Sequence, residues 1–143
     1  MPFVLDASIA ACWAFDDEDH PVAALALERI RTDEARVPSL WWFEVRNTLI
    51  VNERRKRLTE SDTADFLRGL ARLGVTVDRS PEEAEVLALA RRHRLTVYDA
   101  AYLELARRDG VPLATLDSDL AIATQAENTL LLGSERAARG RHG

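Results

Sequence analysis

The chain has 143 residues, 47% hydrophobic and 30% charged, and its 19 Lys and Arg against 24 Asp and Glu leave a formal charge of −5. That length suits one domain, able to bury roughly two-thirds of its unfolded surface; the single cysteine, Cys12, excludes an intramolecular disulfide and a thiolate zinc cluster and fits a reducing cytoplasm. No run approaches the ~20 apolar residues of a membrane span, and polar residues are mixed along the chain, which excludes wholesale disorder. Ile9-Ala10-Ala11-Cys12 looks like a lipoprotein cleavage box, but no Lys or Arg precedes Arg29 and Asp6 interrupts the apolar run, so export is not expected.

Phe3-Val4-Leu5 is a short apolar run ending at Asp6, as a buried first strand would be. Helical patterns follow over Ser8–Phe15 and Pro21–Arg31, the second preceded by a solvated acidic loop, Asp16-Asp17-Glu18-Asp19. Pro38-Ser39 opens a helix from Leu40 to about Arg54 with Ser39 as its N-cap, and Thr59-Glu60-Ser61-Asp62 reads as a capping box for the next. Gly74 ends that helix, and Val75-Thr76-Val77 alternates as a strand. Ser80-Pro81-Glu82-Glu83 then launches a helix over Ala84–Arg92. After Thr96-Val97 a helix carries Ala100, Leu103 and Leu105 and stops at Asp109-Gly110. Val111–Thr115 reads as a strand, Leu120–Ala126 as a short helix and Thr129–Leu132 as a last strand.

Short apolar strands alternating with helices predict an α/β fold: a three-layer α/β/α sandwich around a mainly parallel sheet. The domain is expected to cover 1–133. Ser134–Gly143 carries Arg136, Arg139, Arg141 and His142 with little apolar content, and reads as a basic, mobile tail.

Ligands of open parallel sheets bind at the carboxyl ends of the strands. Asp6 and Asp117 both fall there, each following a predicted strand, where a divalent cation would offset the cost of carboxylate burial. Either alone also reads as an ordinary loop Asp or helix N-cap. Glu44 sits among Trp41, Trp42, Phe43, Val45 and Leu49, with Asn47 on the same helical face, so the two form a polar stripe on an apolar helix. The competing reading pairs Glu44 with Arg46 or Arg55 at the surface. Asp99 opens its helix and can equally be read as the acid of a Thr96–Asp99 capping box. Asp119 joins the cluster or caps the last helix; Ser8 and Thr115 offer hydroxyls that could orient the carboxylates.

Acidic oxygens without His or Cys select a hard ion, Mg²⁺ or Mn²⁺, and such ions suit phosphodiester hydrolysis. His20 and His93 are expected on loop or helix surfaces. No glycine-rich loop follows a strand, which removes nucleotide-binding readings. Receiver and haloacid-dehalogenase-type phosphatase sites would need a lysine, but the one lysine, Lys56, lies in the basic run Arg54–Arg57. The net charge disfavours RNA, yet the bases are 18 Arg and one Lys gathered at Arg54–Arg57, Arg91–Arg94, Arg107-Arg108 and the tail, and Arg suits phosphate and stacking contacts. At least one of Trp41 and Trp42 should be core, the other part of a partner surface.

Four motifs in order resemble the PIN-domain ribonucleases and, within them, the VapC-type toxins: Val4-Leu5-Asp6-Ala7-Ser8; Pro38 with Phe43-Glu44-Val45-Arg46-Asn47; Tyr98-Asp99-Ala100-Ala101-Tyr102; and Ala114-Thr115-Leu116-Asp117-Ser118-Asp119-Leu120. The resemblance covers Phe3 to Leu132. It implies a PIN-like domain and a cytoplasmic Mg²⁺-dependent endoribonuclease, with Mn²⁺ as substitute, whose catalytic, metal-holding residues are Asp6, Glu44, Asp99 and Asp117, with Asp119 accessory. Ser8, Asn47 and Thr115 would orient ligands or substrate. It further implies tRNA or rRNA as substrate, a homodimer, and a VapB-type antitoxin that silences the toxin. The alternative is a PIN-like module that binds protein or RNA without cutting.

Overall fold

β1 (Phe3–Leu5) carries no polar side chain and is fully buried, as a strand covered on both faces must be. It pairs in parallel with β2 (Ala35–Pro38) on one side, Val4 opposite Arg36, and with β4 (Leu113–Ala114) on the other, Leu5 opposite Ala114. β3 (Val75–Asp78) extends the sheet beyond β2, Val37 facing Val77, so the strand order is β3-β2-β1-β4 and every pairing is parallel. The computed structural model describes residues 1–15 and 19–134. Of the expected acidic loop and basic tail, all but Asp19 and Ser134 lie outside the described residues.

Seven described helices flank the sheet: α1 (Ala7–Cys12), α2 (Pro21–Arg29), α3 (Leu40–Arg54), α4 (Glu60–Leu70), α5 (Glu83–His93), α6 (Val97–Asp109) and α7 (Ser118–Ala126). α6 packs on β1, β2 and β4 and carries α5 and α7 behind it, while α1 packs against α2 and α3, which reach β4 and β2 respectively. This is the expected three-layer α/β/α arrangement. Leu49 of α3, Leu103 and Leu105 of α6, Leu120 of α7 and Ile9 of α1 all meet in the core with almost no solvent exposure. Each such side chain contributes about 1.5–3 kcal/mol of burial free energy. No described helix is long and apolar enough to cross a membrane.

Local signals hold where both partners of an interaction are close in sequence. The Thr59 hydroxyl accepts the Asp62 N–H at 3.0 Å and the Asp62 carboxylate accepts the Thr59 N–H at 2.9 Å, closing the predicted capping box of α4. Gly110 ends α6 at φ 64°, a conformation that costs a side chain energy and costs glycine none. Cys12 is buried. Trp41 is core, whereas Trp42 is half exposed.

Several expectations are corrected. Ser39 has helical dihedrals (φ −59°, ψ −29°) and its side chain makes no capping bond, because an N-cap needs extended backbone to turn its hydroxyl inward. α5 begins at Glu83 with Glu82 as N-cap; the Ser80 N–H donates to the Asp78 carboxylate instead, holding Ser80-Pro81 in the loop after β3. β2 was not expected, since Arg36 breaks its apolar pattern; Arg36 pairs with Asp109 at 3.0 Å and Glu34 at 3.4 Å, which makes a charged residue tolerable there. The last strand reduces to one bridge, Leu131 to Leu113, cut short by turns at Asn128 (φ 57°) and Gly133 (φ 100°). His93 ends α5 as expected but is partly buried rather than free in solvent, its Nε2 lying 2.6 Å from Glu127 Oε2.

Candidate active site

In this strand order the chain steps outward from β1 to β2 and β3, then crosses to the opposite side of β1 to form β4. The loops leaving β1 and β4 therefore part, and the crevice between them is the topological switch point where such sheets bind ligands. Asp6 is the first residue beyond β1; Thr115 is the first beyond β4, and Asp117 caps α7 two residues later.

Asp6 is only 6% exposed. Its Oδ2 accepts two hydroxyl bonds, from Ser8 Oγ at 2.8 Å and Thr115 Oγ1 at 2.6 Å. Those hydroxyls are themselves oriented, since Ser8 Oγ accepts the Leu116 N–H at 3.1 Å and Thr115 Oγ1 accepts the Asp117 N–H at 3.0 Å. Hydrogen bonds favour the ionised carboxylate, yet burial outweighs them and the Asp117 charge adds to it, so the Asp6 carboxyl stands above its ordinary range.

Glu44, in the second turn of α3, accepts a 2.6 Å hydrogen bond at Oε1 from the hydroxyl of Tyr102. Burial raises its carboxyl, with further repulsion from Asp6 and Asp99; no surface pairing with Arg46 or Arg55 is found among the described residues. Asp99 lies in the first turn of α6, where Thr96 caps its N–H at 3.0 Å, so the helix-start reading of this segment holds. Its carboxyl does more than complement a helix: it is pushed up to about 6, by burial first and then by the charges of Asp117, Asp6 and Asp119. Asp117 Oδ1 accepts the Leu120 N–H at 3.0 Å, and Asp119 lies exposed one residue into α7. Asn47 is exposed one turn beyond Glu44, with no hydrogen bond to the carboxylates among the described residues.

Asp6, Glu44, Asp99, Asp117 and Asp119 are thus electrostatic neighbours drawn from four segments, and among the described residues none of them has a cationic side-chain partner. Hard oxygen donors with uncompensated negative charge match a divalent cation such as Mg²⁺ or Mn²⁺ in chemistry. No three His, Cys, Asp or Glu side chains among the described residues form a closed cage that could hold an ion, so the fit is one of charge and donor type. The cavity of about 530 Å³ beside this edge, lined by Val22, Leu25, Thr115, Ala121 and Leu131 among others, is apolar and carries no acid.

Tyr102 was missed as a site residue. A tyrosine on the buried face of a helix must find a partner for its hydroxyl, and that is the signal that could have placed it beside an acid. It is fully buried, and burial together with the Asp6 and Glu44 charges pushes its phenol well above its ordinary value, so it remains a donor.

The family pattern of the PIN domain matches residues 3–125. Ribonuclease VapC3 of Pyrobaculum aerophilum is 36% identical over 125 residues, covering 85% of this chain and 93% of that protein. The crystal structure of PAE2754 from P. aerophilum superposes with a TM-score of 0.68 at 24% identity, over 86% of this chain and 84% of the other. That of Mycobacterium tuberculosis VapC20, described as a sarcin-ricin-loop-cleaving toxin, gives 0.60 at 15% identity, over 85% and 94%. These two structures establish the likeness of fold.

Proposed function

This chain belongs to the PIN-domain family and, within it, to the VapC-type ribonucleases, and from that premise we propose that it is a divalent-metal-dependent endoribonuclease, the toxin of a type II toxin–antitoxin pair. The observation that carries the reading is the acid cluster at the switch point, centred on a buried Asp6 that two oriented hydroxyls hold in one rotamer. Asp6, Glu44, Asp99 and Asp117 would hold the cation, Asp119 assisting. A bound Mg²⁺, or Mn²⁺ in its place, would polarise a phosphodiester oxygen and acidify a water for in-line attack. Ser8 and Thr115 fix the Asp6 carboxylate, and Tyr102 fixes Glu44, so the donors wait in place rather than being ordered at each turnover. Asn47, exposed one turn beyond Glu44, would orient the substrate.

Structured RNA such as tRNA or rRNA is the proposed substrate. A VapB-type antitoxin is the proposed partner, binding a homodimer in the cytoplasm and closing the acidic pocket. The rival reading, a PIN-like module that binds without cutting, has in its favour that the carboxylates form no closed cage. One experiment separates them. Purified protein is incubated with labelled tRNA and rRNA fragments in Mg²⁺, Mn²⁺ or EDTA, alongside Asp6→Asn. The enzyme reading predicts metal-dependent cleavage that falls at least ~100-fold in the variant, about 3 kcal/mol of transition-state stabilisation. Undiminished cleavage by Asp6→Asn rejects the site, and RNA binding without cleavage under any metal supports the module.

A further inference from the structure

The acid cluster leaves the outer face of α3 unexplained. Phe43 is 68% exposed and Trp42 49% exposed, two large aromatic rings in water directly beside Glu44 in the chain. Their rings meet edge to face, 5.0 Å between centroids at 70°. Arg46 lies with its guanidinium 3.9 Å from the Trp42 ring centroid and donates from Nη1 to the Trp42 carbonyl at 3.1 Å. That arginine is anchored to an aromatic ring and a carbonyl, and no carboxylate among the described residues neutralises it. Phe43, Asn47, Ile50 and Arg54 repeat at helical spacing, so they share one stripe that runs about 16 Å along α3. All four are exposed, and the stripe ends at the exposed basic run Arg54-Arg55-Lys56.

We propose, resting on the ribonuclease reading, that this face of α3 is the track for unpaired RNA: a nucleobase stacks on Phe43, braced by Trp42, while Arg46 and the Arg54–Lys56 end take flanking phosphates. Three arguments select this occupant. A chain of charge −5 with an acidic centre repels a polyanion, and stacking is the part of RNA affinity that charge does not oppose. The anchored, unneutralised Arg46 calls for an anion next to the aromatic pair, which is the alternation of base and phosphate in a single strand. The stripe borders Glu44, so a strand lying on it passes the carboxylates. A duplex keeps its bases stacked inside and has none to offer Phe43.

Fluorescence anisotropy tests it with a fluorescein-labelled, unstructured nine-nucleotide RNA, alone and annealed to its complement, in EDTA so that nothing is cut. The single strand should bind at least ~10-fold more tightly than the duplex, and Phe43→Ala should weaken single-strand binding about 10-fold. Phe43→Trp should retain it, and Arg46→Gln should reduce the salt slope by about one. Equal affinity of Phe43→Ala and wild type overturns the proposal, as does no binding at all, or a Phe43→Trp variant as weak as Phe43→Ala. So does sedimentation showing that Phe43→Ala splits a dimer while RNA affinity is unchanged, which would make the face a protein interface. Metal-dependent cleavage indifferent to Phe43 would sink the track and spare the ribonuclease; Phe43-dependent binding with no cleavage in any metal would do the reverse.

Discussion

Asp99 is where the electrostatics of the site become measurable. Its carboxyl is raised from an ordinary 3.8 to about 6, so the folded chain holds that proton more tightly than the unfolded chain does. Ionised Asp99 therefore costs stability above about pH 6, and the cost is relieved as pH falls through that value. Since the side chain is partly exposed, solvent screening limits the effect to about 1 kcal/mol. Urea unfolding of metal-free protein should show Asp99→Asn more stable than wild type by that amount at pH 7, and the gap should narrow as pH falls from about 6 toward the unfolded-state value of 3.8, being largely gone at about pH 4. The comparison between the two proteins isolates Asp99 from Asp33, Asp78 and Glu127, whose lowered carboxyls push the pH dependence the other way. An unchanged gap at both pH values would show that Asp99 is not under strain. Tyr102→Phe keeps its ring in the core and removes one donor from Glu44; about tenfold slower cleavage is expected, with stability altered by about 1 kcal/mol or less.

Two helices start from a threonine cap, one remote from the carboxylates and one beside them, and they separate local stability from function. Thr59→Ala should cost about 1 kcal/mol by opening the α4 capping box, with cleavage per folded molecule unchanged. Thr96→Ala should cost a similar amount of about 1 kcal/mol and also slow cleavage, because it frees the turn that carries Asp99. Equal activity in both variants would mean that the α6 start is not a positioning element. Gly110→Ala, at φ 64°, should cost about 1 kcal/mol with no effect on cleavage. These elements also show what a sequence pattern can carry. The Thr59 and Thr96 caps were legible because donor and acceptor lie three residues apart. Ser39 and Ser80 present the same residue type, but whether a serine caps depends on its backbone dihedrals and on where its backbone N–H is held, as Asp78 holds that of Ser80, which the pattern does not contain.

At the scale of the molecule, an acid cluster without cationic partners makes cation binding a source of stability. Saturating Mn²⁺ should raise the unfolding midpoint, by about 2.7 kcal/mol of stability at a hundredfold excess over Kd. Calorimetry with and without Mn²⁺ should show no such gain in Asp6→Asn; an equal gain there would place the ion elsewhere.

The sequence by itself determined the alternation of strands and helices, the parallel sheet it implies, and the carboxylates that follow β1 and β4, because periodicity, caps and strand ends are written within a few residues. It missed β2, whose Arg36 is made tolerable by Asp109, 73 residues away. It also missed the role of Tyr102, whose hydroxyl meets Glu44 across 58 residues. Only the tertiary structure decided on which side of β1 the last strand would lie, and so that Thr115 would meet Asp6 across 109 residues. Right-handed parallel crossovers can build outward from either edge of a sheet, and the choice rests on packing summed over the whole core. Desolvation of Asp6 follows from that same packing, which is why a shifted carboxyl is a property of the fold and not of the residues around it in the chain.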